Sequence, residues 1–228
     1  HACALFSNEV KCIGTNFNGQ RGLYRYSGDL NYPNTLSVSS SSSTVKKVVT
    51  GDHFTCTLMA DGTVYCNGDN SYGQLGDGTT NFNSNPSPVQ VKKDGNALEG
   101  VTDLSEALTH ICAIYGTDDK IYCWGLNNLG QLGFNGTPDA KTIVCTYTAT
   151  CIVTKSNPRQ VECKGDPSWW NNKTFDMGQE ITKLTAGTNH VCALLEDQTA
   201  KCFGKNTDGQ LGIGSTTDNF NLYPSHVM

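Results

Sequence analysis

Eleven cysteines stand in 228 residues. Eight of them form four evenly spaced pairs: Cys3 with Cys12, Cys56 with Cys66, Cys112 with Cys123 and Cys192 with Cys202. Cysteines in such numbers close disulfides or bind zinc as thiolates. Zinc fits badly, because the partners stand nine to eleven residues apart and lack the close ligand spacing of a structural site. Histidine recurs two residues before a cysteine at His1, His110 and His190, but the second copy puts Phe54 in that slot and His53 one place earlier. A slot that accepts Phe serves packing, not catalysis or metal binding. Asp69, Asp77 and Asp208 lie in Gly- and Asn-rich loops, differ between copies and miss the calcium-loop pattern, so they read as solvated turn acids. No nucleophile elbow, Walker loop, H-E-x-x-H helix or dinucleotide fingerprint occurs. No catalytic residue, metal or cofactor is expected, and the chain is not expected to be an enzyme.

The cysteine spacing implies the elements that carry it. The midpoint of Cys56 and Cys66 is Asp61, inside A-D-G, and that of Cys192 and Cys202 is Asp197. The other midpoints fall between Ser7 and Asn8 and between Thr117 and Asp118. All are turn-forming positions, as a two-stranded hairpin requires. Opposed residues at a non-hydrogen-bonded position lie about 4.5 Å apart at Cα, near the short end of disulfide geometry. Four cross-strand disulfides follow. Each first cysteine also stands two residues from Leu5, Leu58, Ile114 or Leu194, on a shared apolar strand face.

After the second cysteine, the frame C-x-G-x-N-x-x-G-Q-x-G recurs four times. Its glycines suit positive φ and close approach. Asn16, Asn70, Asn127 and Asn206 can close turns, and Gln20, Gln74, Gln131 and Gln210 can tie loop backbones together when buried. Four identical copies point to scaffold rather than to a site. A further strand reads V-K-K-V-V-T-G from Val45, V-T-D-L-S-E-A from Val101 and I-T-K-L-T-A-G from Ile181. A Pro-led run reads P-V-Q-V from Pro88, P-R-Q-V from Pro158 and P-S-H-V from Pro224, as an edge strand tolerates. Four antiparallel strands per repeat of just over fifty residues make an all-β chain of β-propeller blades.

H-x-C-A-L, the D-G turn, C-W-G and G-Q-L-G together resemble the repeats of the regulator-of-chromosome-condensation family, most closely its cysteine-bearing secreted branch. The resemblance implies a propeller, commonly of seven blades. That family includes the nuclear exchange factor for the GTPase Ran and a bacterial propeller that inhibits β-lactamases, so the fold alone names no function.

The third repeat is longer than the rest. The extra length is assigned to two insertions, 134–157 with Cys145 and Cys151, and 162–180 with Cys163, Trp169, Trp170 and Asn172. The hairpins lie near 1–22, 53–76, 110–133 and 190–212. Cys145 and Cys151 are the nearest remaining pair, which leaves Cys163 as the odd cysteine. Asn135-G-T and Asn172-K-T are the N-glycosylation acceptors. The paired indoles of Trp169 and Trp170 either anchor their loop or offer an exposed contact, and the anchor is favoured. Three inner strands serve four hairpins, so the 228 residues are expected to belong to a larger propeller.

Charged residues make up only 16% and the formal net charge is −5, which argues against a nucleic-acid partner. No apolar run approaches the roughly 18 residues that span a bilayer, so no membrane insertion is expected. The cysteine count points to an oxidising, extracellular compartment. The expected function is a secreted, non-catalytic propeller that binds a protein partner or further copies of itself. A lectin-like glycan binder using the tryptophan loop is the alternative, and an enzyme or enzyme inhibitor ranks below it.

Overall fold

A computed structural model describes residues 1–7, 9–23, 32–38, 43–170, 172–216 and 220–228. Asn8, half of the first hairpin midpoint, lies outside them. The described residues form antiparallel β-strands and turns. The first sheet holds β1 (Ala2–Phe6), β2 (Glu9–Ile13) and β3 (Asn34–Leu36), and the second holds β4 (Val45–Thr50), β5 (Phe54–Met59), β6 (Val64–Asn70) and β7 (Asn81–Gln90). A short ribbon pairs β8 (Lys92–Lys93) with β9 (Asn96–Ala97). The third sheet orders β10 (Val101–Glu106), β11 (His110–Tyr115) and β12 (Lys120–Gly125). The fourth contains β13 (Ala140–Cys145), β14 (Ala149–Thr154), β15 (Gln160–Gly165) and β16 (Lys173–Asp176). The fifth contains β17 (Ile181–Ala186), β18 (His190–Leu195), β19 (Ala200–Lys205) and β20 (Phe220–His226). In every sheet the strands follow chain order, the up-and-down topology of a blade.

Two compact units result, one of His1–Thr117 with Cys123–Leu126 and one of Asp118–Tyr122 with Asn127–Met228. The core of the second unit gathers Val144, Val153, Val161, Trp170, Phe175, Leu184, Val191 and Phe203. In the first unit, Val10, Cys12, Leu36, Val45 and Met59 close the space between the first two sheets.

The inner strands β4, β10, β13 and β17 share one construction. Each carries a register shift after its first residue, at Val45/Lys47, Val101/Asp103, Ala140/Thr142 and Ile181/Lys183. Each then turns into the next strand through the same tight bond: Gly51 N–H to Phe54 C=O, Ala107 to His110, Thr146 to Ala149 and Gly187 to His190, at 2.8–3.0 Å. A bulge followed by a closed turn re-aims the strand and fixes the register of the hairpin behind it.

The fourth sheet corrects the expectation of two insertions. Residues 140–176 are a complete four-stranded sheet whose sequence has drifted from the frame. Cys151 stands opposite Cys163, and the two form a disulfide with Cα atoms 4.1 Å apart, as Cys3–Cys12, Cys56–Cys66 and Cys192–Cys202 do. Cys112–Cys123 is the fifth bridge, at 4.0 Å. The expected Cys145–Cys151 pair is therefore wrong, and Cys163 is not the odd cysteine. In register, Cys145 faces Thr150 while Val144 faces Cys151. Neighbouring residues of a strand point to opposite faces, so the Cys145 and Cys151 sulfurs cannot meet. Cys145 is buried, its Sγ 3.9 Å from the Thr150 hydroxyl.

P-R-Q-V from Pro158 is likewise no edge strand. It leads into β15, an interior strand, while Pro158 C=O accepts from Ile181 N–H at the head of the next inner strand. Pro88 and Pro224 do lie on the edge strands β7 and β20, with Val89 opposite Cys66 and Ser225 opposite Cys202. Inner strands therefore number four among the described residues, the fourth being β13.

Candidate interaction site

The frame builds one loop four times over. The Asn side-chain oxygen accepts the N–H five residues on: Asn16 from Arg21, Asn70 from Leu75, Asn127 from Leu132 and Asn206 from Leu211, at 2.9–3.2 Å. The Gln side-chain oxygen accepts the N–H two residues back: Gln20 from Asn18, Gln74 from Tyr72, Gln131 from Leu129 and Gln210 from Asp208, at 2.8–2.9 Å. These bonds replace backbone pairing that a tight loop cannot make for itself.

The backbone carbonyls of the same loops bond to the sheet that follows. Gln20 C=O accepts from Thr55 Oγ1 at 2.7 Å, Gln74 C=O from Trp124 Nε1 at 3.0 Å and Gln131 C=O from Thr150 Oγ1 at 2.8 Å. Gly19 C=O adds a bond from buried Asn67 Nδ2 at 2.8 Å. The frame polar groups therefore hold blades together. The side chains between them face outward, and Phe17 and Tyr72 stand about half exposed.

The C-x-G glycine has one use in four sheets. A Cβ on Gly68, Gly125, Gly165 or Gly204 would stand 2.2–2.6 Å from a backbone oxygen, that of His53, Thr109, Thr148 or Asn189. That same oxygen accepts the N–H of the residue after the glycine, Asp69, Leu126, Asp166 or Lys205. Cys163-Lys164-Gly165 is thus a true copy of the motif, and with the Cys151 and Cys163 spacing centred on Asn157 it was a sequence signal of the drifted repeat. Beyond Asp166, N-x-x-G is replaced by Pro167-Ser168-Trp169-Trp170, and the sequence has Asn171 at the Gln position.

The histidine slot packs against the end of the inner strand. A Cβ on Gly51 would meet the Phe54 ring at 2.0 Å, and one on Gly187 the His190 ring at 2.2 Å. In the fourth sheet Ala149 occupies the slot. Burial drives the His110 pKa down to about 4 and also lowers that of His190, so neutral imidazole is the folded form. Asp69 accepts from its own loop, from Ser71 and from Gln74 Nε2, and Asp77 accepts from Thr79. Asp208 stands beside Thr207 and, at 3.9 Å, Lys205. Asp69 and Asp77 close their own turns by accepting the N–H groups of Ser71 and Thr79, while the Asp208 carboxylate meets neighbouring side chains.

The two tryptophans divide their roles. Trp170 is fully buried, edge-on to Phe203 at 6.1 Å and to Phe220 at 5.2 Å. Trp169 stacks on Phe220 at 4.6 Å and keeps 39% of its surface exposed. Both indoles hang on one turn, where Asp166 C=O accepts from both their backbone N–H groups. Beside them opens a pocket of about 240 Å³ lined by Thr148, Asp166, Trp169, Trp170, Asn189, Lys205 and Phe220. Phe220, Asn189 and Lys205 carried no sequence signal, because loops far apart in the chain bring them there. Asn135 and Asn172 are both exposed, and Asn172 holds a turn at φ 53°.

Known proteins share this construction. A family model for the Regulator of chromosome condensation (RCC1) repeat matches residues 61–114 and 118–194, and a second of the same description matches 45–74 and 181–210. The chain belongs to the RCC1 repeat family. Its fold is that of the family's β-propellers. Human WBSCR16 superimposes with a TM-score of 0.83 at 19% identity over 99% of this chain and 64% of that one. Yeast RCC1 (Prp20), solved bound to Kap60, superimposes with a TM-score of 0.76 at 17% identity over 99% and 58%. In sequence, the chain is 28% identical over 201 residues to the human probable E3 ubiquitin-protein ligase HERC3, covering 76% of this chain and 19% of that protein. This RCC1-repeat chain thus spans about a fifth of that relative's length and about three fifths of the two structures.

Proposed function

We propose that this RCC1-repeat chain is an extracellular, non-catalytic propeller that binds a protein partner through its frame loops. The observation that carries the reading is how the repeated polar groups are used. The frame Asn and Gln side chains close their own loops, and three of the Gln carbonyls bond to the following sheet. Two of these loops present an aromatic ring outward, Phe17 and Tyr72. Large rings with few rotamers make strong protein contacts at low entropic cost.

Five buried or half-buried disulfides, one in each sheet, support the extracellular assignment, since such bonds persist in oxidising compartments. The family also supports a protein partner: yeast RCC1 (Prp20) was solved bound to Kap60. The ligase named in HERC3 belongs to a protein of which this chain spans 19%, so ligase activity is not carried over.

The test is proximity labelling of the chain in its secreting source, followed by binding of each identified partner to purified protein. Tyr72→Ser and Phe17→Ser together should weaken the genuine partner at least tenfold with unchanged melting temperature. A partner bound equally by wild type and double variant, or turnover of a substrate by the purified chain, would overturn the reading.

A further inference from the structure

We propose that the pocket beside Trp169 binds one pyranose ring of a glycan, with the indole as its platform. This site does not rest on the protein-binding loops above, and different residues build it.

Four observations converge on a sugar. The first is shape: about 240 Å³ falls below the ~300–1,000 Å³ of pockets that enclose drug-sized ligands, and suits a single ring. The second is the aromatic wall. Trp169 lies against Phe220 at 4.6 Å, which fixes the indole plane, yet stays partly exposed at the pocket. A fixed, half-exposed indole offers an apolar face to the C–H face of a sugar, while a flexible one would lose entropy on binding.

The third is the polar wall. The lining residues Asp166, Asn189, Lys205 and Thr148 carry a carboxylate, an amide, an ammonium and a hydroxyl. One Asp166 oxygen is held by Ser168 N–H at 2.8 Å, which orients the carboxylate. Acceptors and donors around an aromatic plate match vicinal hydroxyls, each of which both donates and accepts. An apolar side chain from a protein would offer these groups no further partner. The fourth is the departure from the frame. The Asn and Gln that tie the other loops are missing here, and D-P-S-W-W stands in their place. Trp170 anchors that segment in the core, so the segment has a rigid base.

A sugar could reach this corner from two sources. Asn172 stands three residues after Trp169 in the acceptor N-K-T, on an exposed turn closed by Lys173 N–H to Trp170 C=O at 3.2 Å. The chain's own N-glycan could lay its first ring on the indole. A free glycan is the other source, and the chemistry is the same.

The experiment uses the full disulfide-bonded chain from a secreting eukaryotic host, both glycosylated and as Asn172→Gln. Methyl glycosides of glucose, galactose, mannose and N-acetylglucosamine are titrated while tryptophan fluorescence and saturation-transfer NMR are followed. Asn172→Gln should bind at least one of them saturably at millimolar concentration. Trp169→Ala and Asp166→Asn in that background should each weaken binding at least fivefold, and the conservative Asp166→Asn guards against misfolding of the tryptophan variant. If the glycosylated chain excludes the added sugar, the ring comes from Asn172. If it binds the sugar equally well, the ligand is external. No saturable binding by Asn172→Gln, or binding unaffected by either variant in correctly disulfide-bonded protein, overturns the site.

Discussion

The indole N–H of Trp124 donates to the backbone oxygen of Gln74 at 3.0 Å. It joins the C-x-G tryptophan of one sheet to the frame loop of the sheet before it. The contact is close-packed as well as polar, for a Cβ on Gly76 would stand 2.8 Å from that indole ring. Trp124→Phe keeps most of the ring and removes the donor, leaving a buried carbonyl without this bond. Such a loss costs about 1–3 kcal/mol. Chemical denaturation should show a lower midpoint with an unchanged slope, and an unchanged midpoint would show the bond to be dispensable.

Non-reducing peptide mapping should link Cys151 to Cys163, with Cys145 in no disulfide-linked peptide. Because Cys145 is buried, thiol titration should read about zero equivalents in native protein and one in denaturant. A Cys145–Cys151 peptide would place β13 in a different register.

Stability should fall as the pH drops below about 6.5. His110 has a folded pKa of about 4 against the ordinary imidazole value of 6.5, so between those values the unfolded chain binds the extra proton. The imidazole's contribution is therefore intact above 6.5 and declines steadily towards 4, by about 3 kcal/mol in all. His190, whose pKa is also lowered by burial, acts in the same direction. His110→Phe should flatten the slope of stability against pH over this window, and a slope identical to wild type would assign the effect elsewhere.

Gly165→Ala should damage the fourth sheet out of proportion to one methyl group. The new Cβ would lie 2.2 Å from Thr148 C=O, which already accepts from Asp166 N–H at 3.0 Å. Relief requires that bond to open and the tryptophan turn to move, for a loss of about 3 kcal/mol or more. Hydrogen exchange should show faster opening across β14 and β15 first. Protection equal to wild type would mean that Cys163-Lys164-Gly165 is not the frame motif.

The regular part of the protein was determined by sequence alone, for a local reason. Asn70 and Gln74 bond within their own loop, and Asp61 sits at the turn that sets Cys56 against Cys66. Interactions that close within ten residues leave their pattern in residue spacing, so blades, frame and hairpin registers were legible. The fourth sheet was not, because its loop had lost Asn and Gln and kept only the Gly165 contact with Thr148. The partner of Cys151 depended on which face of β14 each neighbour occupied, and that was decided when β13 paired with Thr150 opposite Cys145. Tertiary structure also decided the tryptophans. Their equivalence in sequence was broken by Phe220, fifty residues on, which stacks on Trp169 while the core encloses Trp170. Spacing records what a segment does with itself, and only packing records what distant segments do to one another.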